Sequence, residues 1–392
     1  MVFILKNLAR GWEGISELLK HAIKQIKLWR CLTIASLITQ ICPCNVIFCR
    51  TQIIMETESH HIGVLGIELE CALIAFLLQK NDASTIMFTN EYDYLEKHPV
   101  AIQCDSKWVS FLLSHKLQND ISLMISDGLE VDKIIVPMNK QQVFNSGFSL
   151  LDKRYIMKYI ESFLLDKPLP EDLPPHLQSL IDTLQDPNLS FNKASLEKSA
   201  IYQSKSPQLT CQYNLEQELC QLLTRKTAVL GGLQIMNAKL EPVIQLNKKF
   251  VYTCQYGNFI TDILIVHPSH IHLLSNFNIS EMLEETWYFA TIPAGEASVV
   301  VQNVNNYRVY GIKFNSCLHL MSLNREALQF ISDGNAISKL EITQFECEVP
   351  NLFILPRIVS VVGLSDQYFS IAEMIVSKVL SALQIEQKIS VF

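Results

Sequence analysis

Glycine is scarce in this chain, at 13 of 392 residues. No three of them take the G-x-G-x-x-G spacing that lets backbone approach a pyrophosphate, so an ordinary dinucleotide or P-loop cradle is excluded. The 11 cysteines form no Cys-x-x-Cys pair. That removes the common zinc ribbons and any disulfide framework, and it reads as reduced thiols of a cytosolic protein. Positive charge is not in excess either. Lys and Arg number 32 against 39 Asp and Glu, a net charge of −7, and no basic patch suited to nucleic acid stands out. Nucleophile elbow and zinc-protease helix are both missing, so no catalytic constellation emerges. What the chain has in quantity is apolar side chain. Hydrophobic residues are 49% and charged ones 18%, enough for one large domain or two to three smaller ones.

Residues 1–54 differ in character from the rest. Lys6, Arg10, Lys20, Lys24, Lys27 and Arg30 make a basic, loosely amphipathic start. Cys31 to Cys49 then runs without a charge, at a length that suggests a membrane anchor, although Pro43 and polar Thr33, Gln40 and Asn45 interrupt it. Cys42, Cys44 and Cys49 lack two clean ligand pairs for a metal. Three readings stand: a leader translated upstream of a start at Met55, a membrane anchor, or a disordered extension. The leader is the preferred expectation.

The folded part opens at Ile62-Gly63-Val64-Leu65-Gly66, a buried strand ending in glycine. Leu69, Leu73, Phe76 and Leu77 then recur at helical spacing. Strand, glycine, helix is how a dinucleotide-binding domain begins. Here the loop reads Gly66-Ile67-Glu68-Leu69-Glu70, and Glu68 and Glu70 put negative charge where phosphates would sit. The expectation is an α/β, Rossmann-like scaffold with no cofactor. Ile86-Met87-Phe88 reads as the second strand, and 107–126 as a helix or a helix then a strand. A helix over 149–165 ends at Pro168 and Pro170, a shorter one covers 175–184, and a polar run leads to Ser206. Hairpin strands are expected at 243–246 and 249–254, and a buried strand at 263–266. His267, His270 and His272 invite a zinc reading, but no carboxylate or thiol stands nearby at ligand spacing, and no metal is expected. Strands over 289–301 and 307–321 follow, then a last strand through Ile354 and Val359–Val362. The C-terminal helix carries a stripe of Ile371, Met374, Ile375, Val379 and Leu383.

The stretch Ser204 to Ile235 carries the strongest pattern. Leu215, Leu219, Leu222 and Leu223 form an apolar helical face, and Glu218, Gln221 and Arg225 share a polar one. Gly231-Gly232 stops the helix, and Gln234-Ile235 enters a strand. Ser206-Pro207, Tyr213, Glu218-Leu219, Gln221, Arg225 and Gly231-Gly232 stand in the order found in Rab GDP-dissociation inhibitors and Rab escort proteins, with one residue inserted after Tyr213. A second segment agrees: Val136-Pro137, Val143-Phe144-Asn145-Ser146, Lys153-Arg154 and Met157-Lys158 resemble the escort branch in particular. Glu70-Cys71 keeps the end of the family's glycine loop, and Tyr94 aligns with a tyrosine that contacts the GTPase. The family's glycines beside Tyr94 and before Glu218 are replaced here.

The resemblance implies a FAD-binding-type main domain over 55–145 and 207–392 that holds no flavin. It also implies a shortened helical domain over 146–206 where relatives shelter geranylgeranyl chains. The implied Rab-binding residues are Tyr94, Tyr213, Glu218, Gln221, Arg225 and Ile235. The implied role is non-enzymatic: an accessory chaperone that binds GDP-form Rab GTPases, presents them to Rab geranylgeranyltransferase, and delivers them in transient contact with membranes. Cytoplasmic residence at the membrane periphery follows from that role. A dissociation inhibitor recycling prenylated Rabs, or a flavin-dependent oxidoreductase on the same fold, are the alternatives.

Overall fold

A computed structural model describes residues 60–384 except 90–98, 122, 126–127, 166, 169–171, 187, 190–192, 202–205, 207 and 212–214. The expectations for residues 1–54, for Tyr94 and for Tyr213 lie outside the described residues. In the first half of the chain the elements are β1 (Ile62–Leu65), α1 (Leu69–Lys80), β2 (Thr85–Thr89), β3 (Ile102–Gln103), α2 (Lys107–Ser114), β4 (Leu123–Ile125), β5 (Leu129–Val131) and β6 (Ile134–Ile135). Four helices follow, α3 (Lys140–Asn145), α4 (Leu150–Leu165), α5 (Pro175–Leu184) and α6 (Lys193–Ile201), then β7 (Gln208–Cys211), α7 (Leu215–Val229) and β8 (Leu233–Met236). The remainder is mostly strand: β9 (Ile244–Leu246), β10 (Lys249–Cys254), β11 (Gly257–Thr261), β12 (Ile263–Val266), β13 (Ile279–Pro293), β14 (Val299–Val304), β15 (Tyr307–Phe314) and β16 (Cys317–Ser322). The chain closes with α8 (Arg325–Ser332), β17 (Ile337–Cys347), β18 (Leu352–Ile354) and α9 (Gln367–Leu383).

β1 lies at the centre of a five-stranded sheet of order β18-β12-β1-β2-β8. Its pairings with β2 and β12 are parallel, Ile62 opposite Thr85 and Ile263, Leu65 opposite Phe88 and Val266. Both faces of these strands are covered, which is why they read as continuous apolar runs without alternation. On one face α1 is enclosed by α7 and α9, and every residue from Leu69 to Leu78 is buried. A helix packed all round has no need of a polar stripe. The other face is covered by the antiparallel sheet β9–β11. There Tyr252 stacks on Phe88 at 4.7 Å, directly over Gly63. This is the α/β, Rossmann-like architecture that the opening strand and helix predict.

A third sheet, of seven strands ordered β17-β13-β16-β15-β14-β5-β6, shares one core with α4, α5 and α6. Ile156, Ile160, Leu177, Leu180 and Ile181 from the helices meet Leu129, Val131, Val299 and Val301 from the strands. A fourth sheet, β3-β7-β4, has three strands.

Several local expectations change. β13 starts at Ile279, ten residues before Phe289, because it pairs with β17 from Ile279 to Ala290. Val359–Val362 is not a strand. Its backbone is committed elsewhere: Val362 O accepts from Ala101 N at 3.0 Å, Leu364 N donates to Ala101 O at 2.7 Å, and Ile358 N donates to Glu70. The buried face of α9 is Tyr368, Ala372, Ile375, Val376, Val379 and Leu380, while Met374 is 45% exposed. The polar run before Ser206 contains α6, and Val143-Phe144-Asn145 lies on α3, whose cap is Asn139 accepting from Gln142 N at 2.9 Å. Among the described residues no helix is long and apolar enough to cross a membrane.

Candidate functional site

α7 forms because its leucines fall on one side and its charges suit its ends. Leu215, Leu219, Leu222 and Leu223 are buried against α1 and α9. Glu216 and Glu218 lie in the first turn and Lys226 in the last, each favourable to the helix dipole. Gly231, at φ +100°, ends it. Gly232 then passes so close to Thr227 and Thr85 that a Cβ would stand 2.7 Å from Thr227 Cγ2. On the opposite face Glu218 and Gln221 are half-buried and Arg225 is exposed. Arg225 Nη2 donates to Gln221 Oε1 at 3.4 Å, a long bond that leaves the guanidinium at the surface. Beyond it Val229 is 82% exposed, followed by Leu230. The sequence pattern drew attention to the charges and not to this apolar corner; the exposed Val-Leu pair before Gly231 is the signal that marks it.

Ile235 does not join this face. It lies in β8, half-buried in the core beneath β9–β11, whereas α7 covers the opposite side of the sheet. The structure therefore brings Glu218, Gln221 and Arg225 together and separates Ile235 from them.

Cys220 connects α7 to the glycine loop, for its thiol donates to the carbonyl of Ile67. In that loop Gly66 has φ +136°, and a Cβ there would fall 2.6 Å from Glu68 Oε2 and 2.9 Å from His267 Cβ. Glu68 Oε2 accepts from Ile67 N at 3.0 Å, and Glu68 Oε1 accepts from Ser269 Oγ at 2.7 Å. His267 Nδ1 stands 3.1 Å from the same Oε1 and is itself almost fully buried. It also stands 3.2 Å from Ser269 N. Protonated, Nδ1 donates to the carboxylate; unprotonated, it caps the 3-10 helix Pro268–Leu274 and Ser269 alone bridges to Glu68. In both states the carboxylate keeps Ile67 N and Ser269 Oγ as donors. Burial would raise the pKa of Glu68, but the charge and hydrogen bond of His267, then Ser269 and His270, outweigh it and hold the carboxyl far below the usual range. His270 is pushed down, first by burial, with Glu68 opposing.

Glu70 is also buried, and its Oε1 accepts from Ile358 N at 3.3 Å. Two carboxylates thus consume backbone amides around the end of β1. The pyrophosphate of a dinucleotide needs that space empty and those amides free, so the loop does not fit such a cofactor. The three histidines hold no metal arrangement either: among the described residues no group of three or more His, Cys, Asp or Glu is placed to bind one. The carboxylate that the local sequence lacks does arrive, from Glu68 at a separation of 201 residues from Ser269, but as an ion-pair and hydrogen-bond partner.

A separate open cleft of about 750 Å³ lies between β6 and the helices, lined by Lys133, Ile135, Pro137, Phe148, Asp152 and His176 among others. Asp152 bridges Ser149 Oγ (2.8 Å) and His176 Nε2 (3.1 Å). Ser149 and His176 therefore meet through an acid, not directly, and no base is aimed at the hydroxyl. Ser149 Oγ also accepts from Asp152 N, so the group is a helix cap.

No family model and no curated protein sequence matches the chain. Solved structures do. A Rab GDI from Plasmodium falciparum superposes with a TM-score of 0.61 at 13% identity, over 81% of this chain and 97% of that one. The p-nitrophenol 4-monooxygenase PnpA from Pseudomonas putida superposes with a TM-score of 0.50 at 9% identity, over 83% and 80%. At these identities the likeness is one of fold alone, a fold that the Rab GDI and the monooxygenase both have.

Proposed function

We propose that this chain is a Rab-binding chaperone of the escort or dissociation-inhibitor type, acting through its protein surface and not through a cofactor. The observation that carries the proposal is the Glu68 carboxylate, seated where an oxidoreductase of this fold would need a phosphate. The likeness to a Rab GDI over 97% of that structure supports the same side of the choice. The monooxygenase likeness supports the enzyme reading as far as the scaffold goes, and the Glu68 carboxylate in the loop weighs on the other side.

In this reading the GDP-bound GTPase rests on the polar face of α7, Glu218, Gln221 and Arg225, with Tyr94 and Tyr213 completing the contact. Arg225 suits a carboxylate in bidentate fashion, and Glu218 suits a lysine or backbone amides. Val229 and Leu230, exposed one turn beyond Arg225, supply the adjoining apolar patch. The chaperone presents new Rabs to geranylgeranyltransferase and carries them to membranes, working in the cytoplasm and at the membrane periphery. The helical segment 146–206 receives the lipid. Its interior, among Ile156, Tyr159, Leu177, Leu180 and Leu184, holds a void of only about 10 Å³. A prenyl chain needs far more, so α4 and α5 must part to admit it. That favours the escort role, in which the unprenylated GTPase is the first partner.

Pull-down with Rab GTPases, prenylated and unprenylated, with and without the transferase, tests the proposal. Capture of the unprenylated GDP form is expected. Capture of the prenylated form alone would move the chain to the dissociation-inhibitor branch, and capture of neither would end the proposal. Stoichiometric flavin in native protein would end it too.

A further inference from the structure

We infer that Glu68 is a built-in occupant of the phosphate position, a side chain that does for this fold what a bound dinucleotide does in an enzyme: it ties the end of β1 to the turn after β12. The two parts of the chain meet here with no main-chain pairing beyond the strands themselves, apart from His267 N donating to Leu65 O at 2.9 Å. The carboxylate adds the rest. One oxygen takes the Ile67 amide at 3.0 Å, and the other takes the Ser269 hydroxyl at 2.7 Å beside His267 Nδ1 at 3.1 Å. A backbone amide in the turn before a helix, a hydroxyl and an imidazole are donors that a phosphate oxygen could use. His270 stands behind them, its Nδ1 2.8 Å from Ser269 Oγ. The space over Gly66 that would admit a ligand's phosphate is filled by Glu68 itself, since even a Cβ there would meet its Oε2.

Two consequences follow. The site has not lost its anion donors; it is closed by a resident anion. Removing the carboxylate therefore destabilises the joint and at the same time uncovers a place for a free phosphate group. The inference does not depend on the GTPase reading, and its experiment contains no GTPase.

Thermal unfolding of the full chain is compared with Glu68→Ala and Glu68→Gln, each with and without millimolar inorganic pyrophosphate and, separately, ADP. Wild type should melt at the same temperature in all three conditions. Glu68→Ala should melt several degrees lower, and pyrophosphate should restore part of that loss. Glu68→Gln keeps an acceptor for Ile67 N and should fall between them; it carries the comparison if Glu68→Ala fails to fold. An unshifted melting temperature in both variants would overturn the inference. So would a wild-type protein stabilised by ADP, or a destabilised variant that pyrophosphate does not rescue.

Discussion

Tyr310 on β15 donates its hydroxyl to Asp186, in the turn between α5 and α6, at 2.5 Å across 124 residues of chain. Arg308, two residues earlier on the same strand face, pairs with the same carboxylate and reaches the carbonyl of Asp182 at 3.2 Å. Two further strands hold the turn: Gln103 Nε2 donates to Asn188 O at 3.2 Å, and Gln208 Nε2 donates to Leu189 O at 3.0 Å. The turn after α5 is thus fastened to three strands, with the buried Asp186 carboxylate taking the β15 contacts.

Asp186→Ala should be costly, because it leaves a buried hydroxyl and a partly buried guanidinium without their acceptor. Arg308 is one-third exposed, which tempers the loss. About 2–3 kcal/mol is expected in urea unfolding, with faster proteolysis within 166–206. A wild-type midpoint in the mutant would show that the turn is held by the glutamines alone.

Gly63→Ala tests the stacking over the central strand. A Cβ at this position would stand 2.0 Å from the Tyr252 hydroxyl and 2.7 Å from its ring carbon. Tyr252 is fully buried and bonded to Thr261 at 2.8 Å, so it has nowhere to retreat. Overpacking of this kind costs about 1–3 kcal/mol or more, and a melting temperature several degrees lower is expected.

Acid should weaken the protein in two stages. His270 is buried with its pKa below the ordinary 6.5, so its contribution is complete above that value and fades as pH falls through the folded pKa. Glu68 is depressed from 4.5, so its contribution is complete above 4.5 and is lost only as pH falls further below it. Unfolding free energy measured from pH 8 to 3 should be flat above about 7 and then decline. His270→Gln should flatten the limb that begins as pH falls below 6.5, and Glu68→Gln the limb below 4.5. An unchanged slope in either variant would show that its group does not carry that limb.

The central strand and its helix were legible because a fully buried parallel strand and the helix behind it write themselves as unbroken apolar runs. α7 was legible from four leucines and the Gly231 stop. Val359–Val362 misled where Ile263–Val266 did not: a short β-branched run looks alike whether its backbone pairs along a neighbouring strand or only its last carbonyl meets Ala101. Met374 fell in the expected stripe of α9, but the helix turns its Tyr368–Val376 side to the core. α3 and α6 are short and mostly polar, and their burial comes from the seven-stranded sheet, which no local pattern reveals. Glu68 was marked as misplaced charge. Its partners Ser269 and His267 lie too far along the chain for spacing to join them.

The account stands or falls on α7 as a contact surface. Calorimetric titration of unprenylated, GDP-loaded Rab into wild type, Glu218→Ala, Arg225→Ala and Val229→Asp measures it most directly, with melting temperatures alongside. Val229 and Arg225 are exposed, so their substitution should leave the melting temperature almost unchanged. Losing a central interface side chain typically costs about 2 kcal/mol, some thirtyfold in affinity. Binding by the wild type, weakened roughly tenfold or more in each variant without a shift in melting temperature, is the predicted result. Equal affinity in all four proteins, or no binding of any Rab by the wild type, would contradict the account.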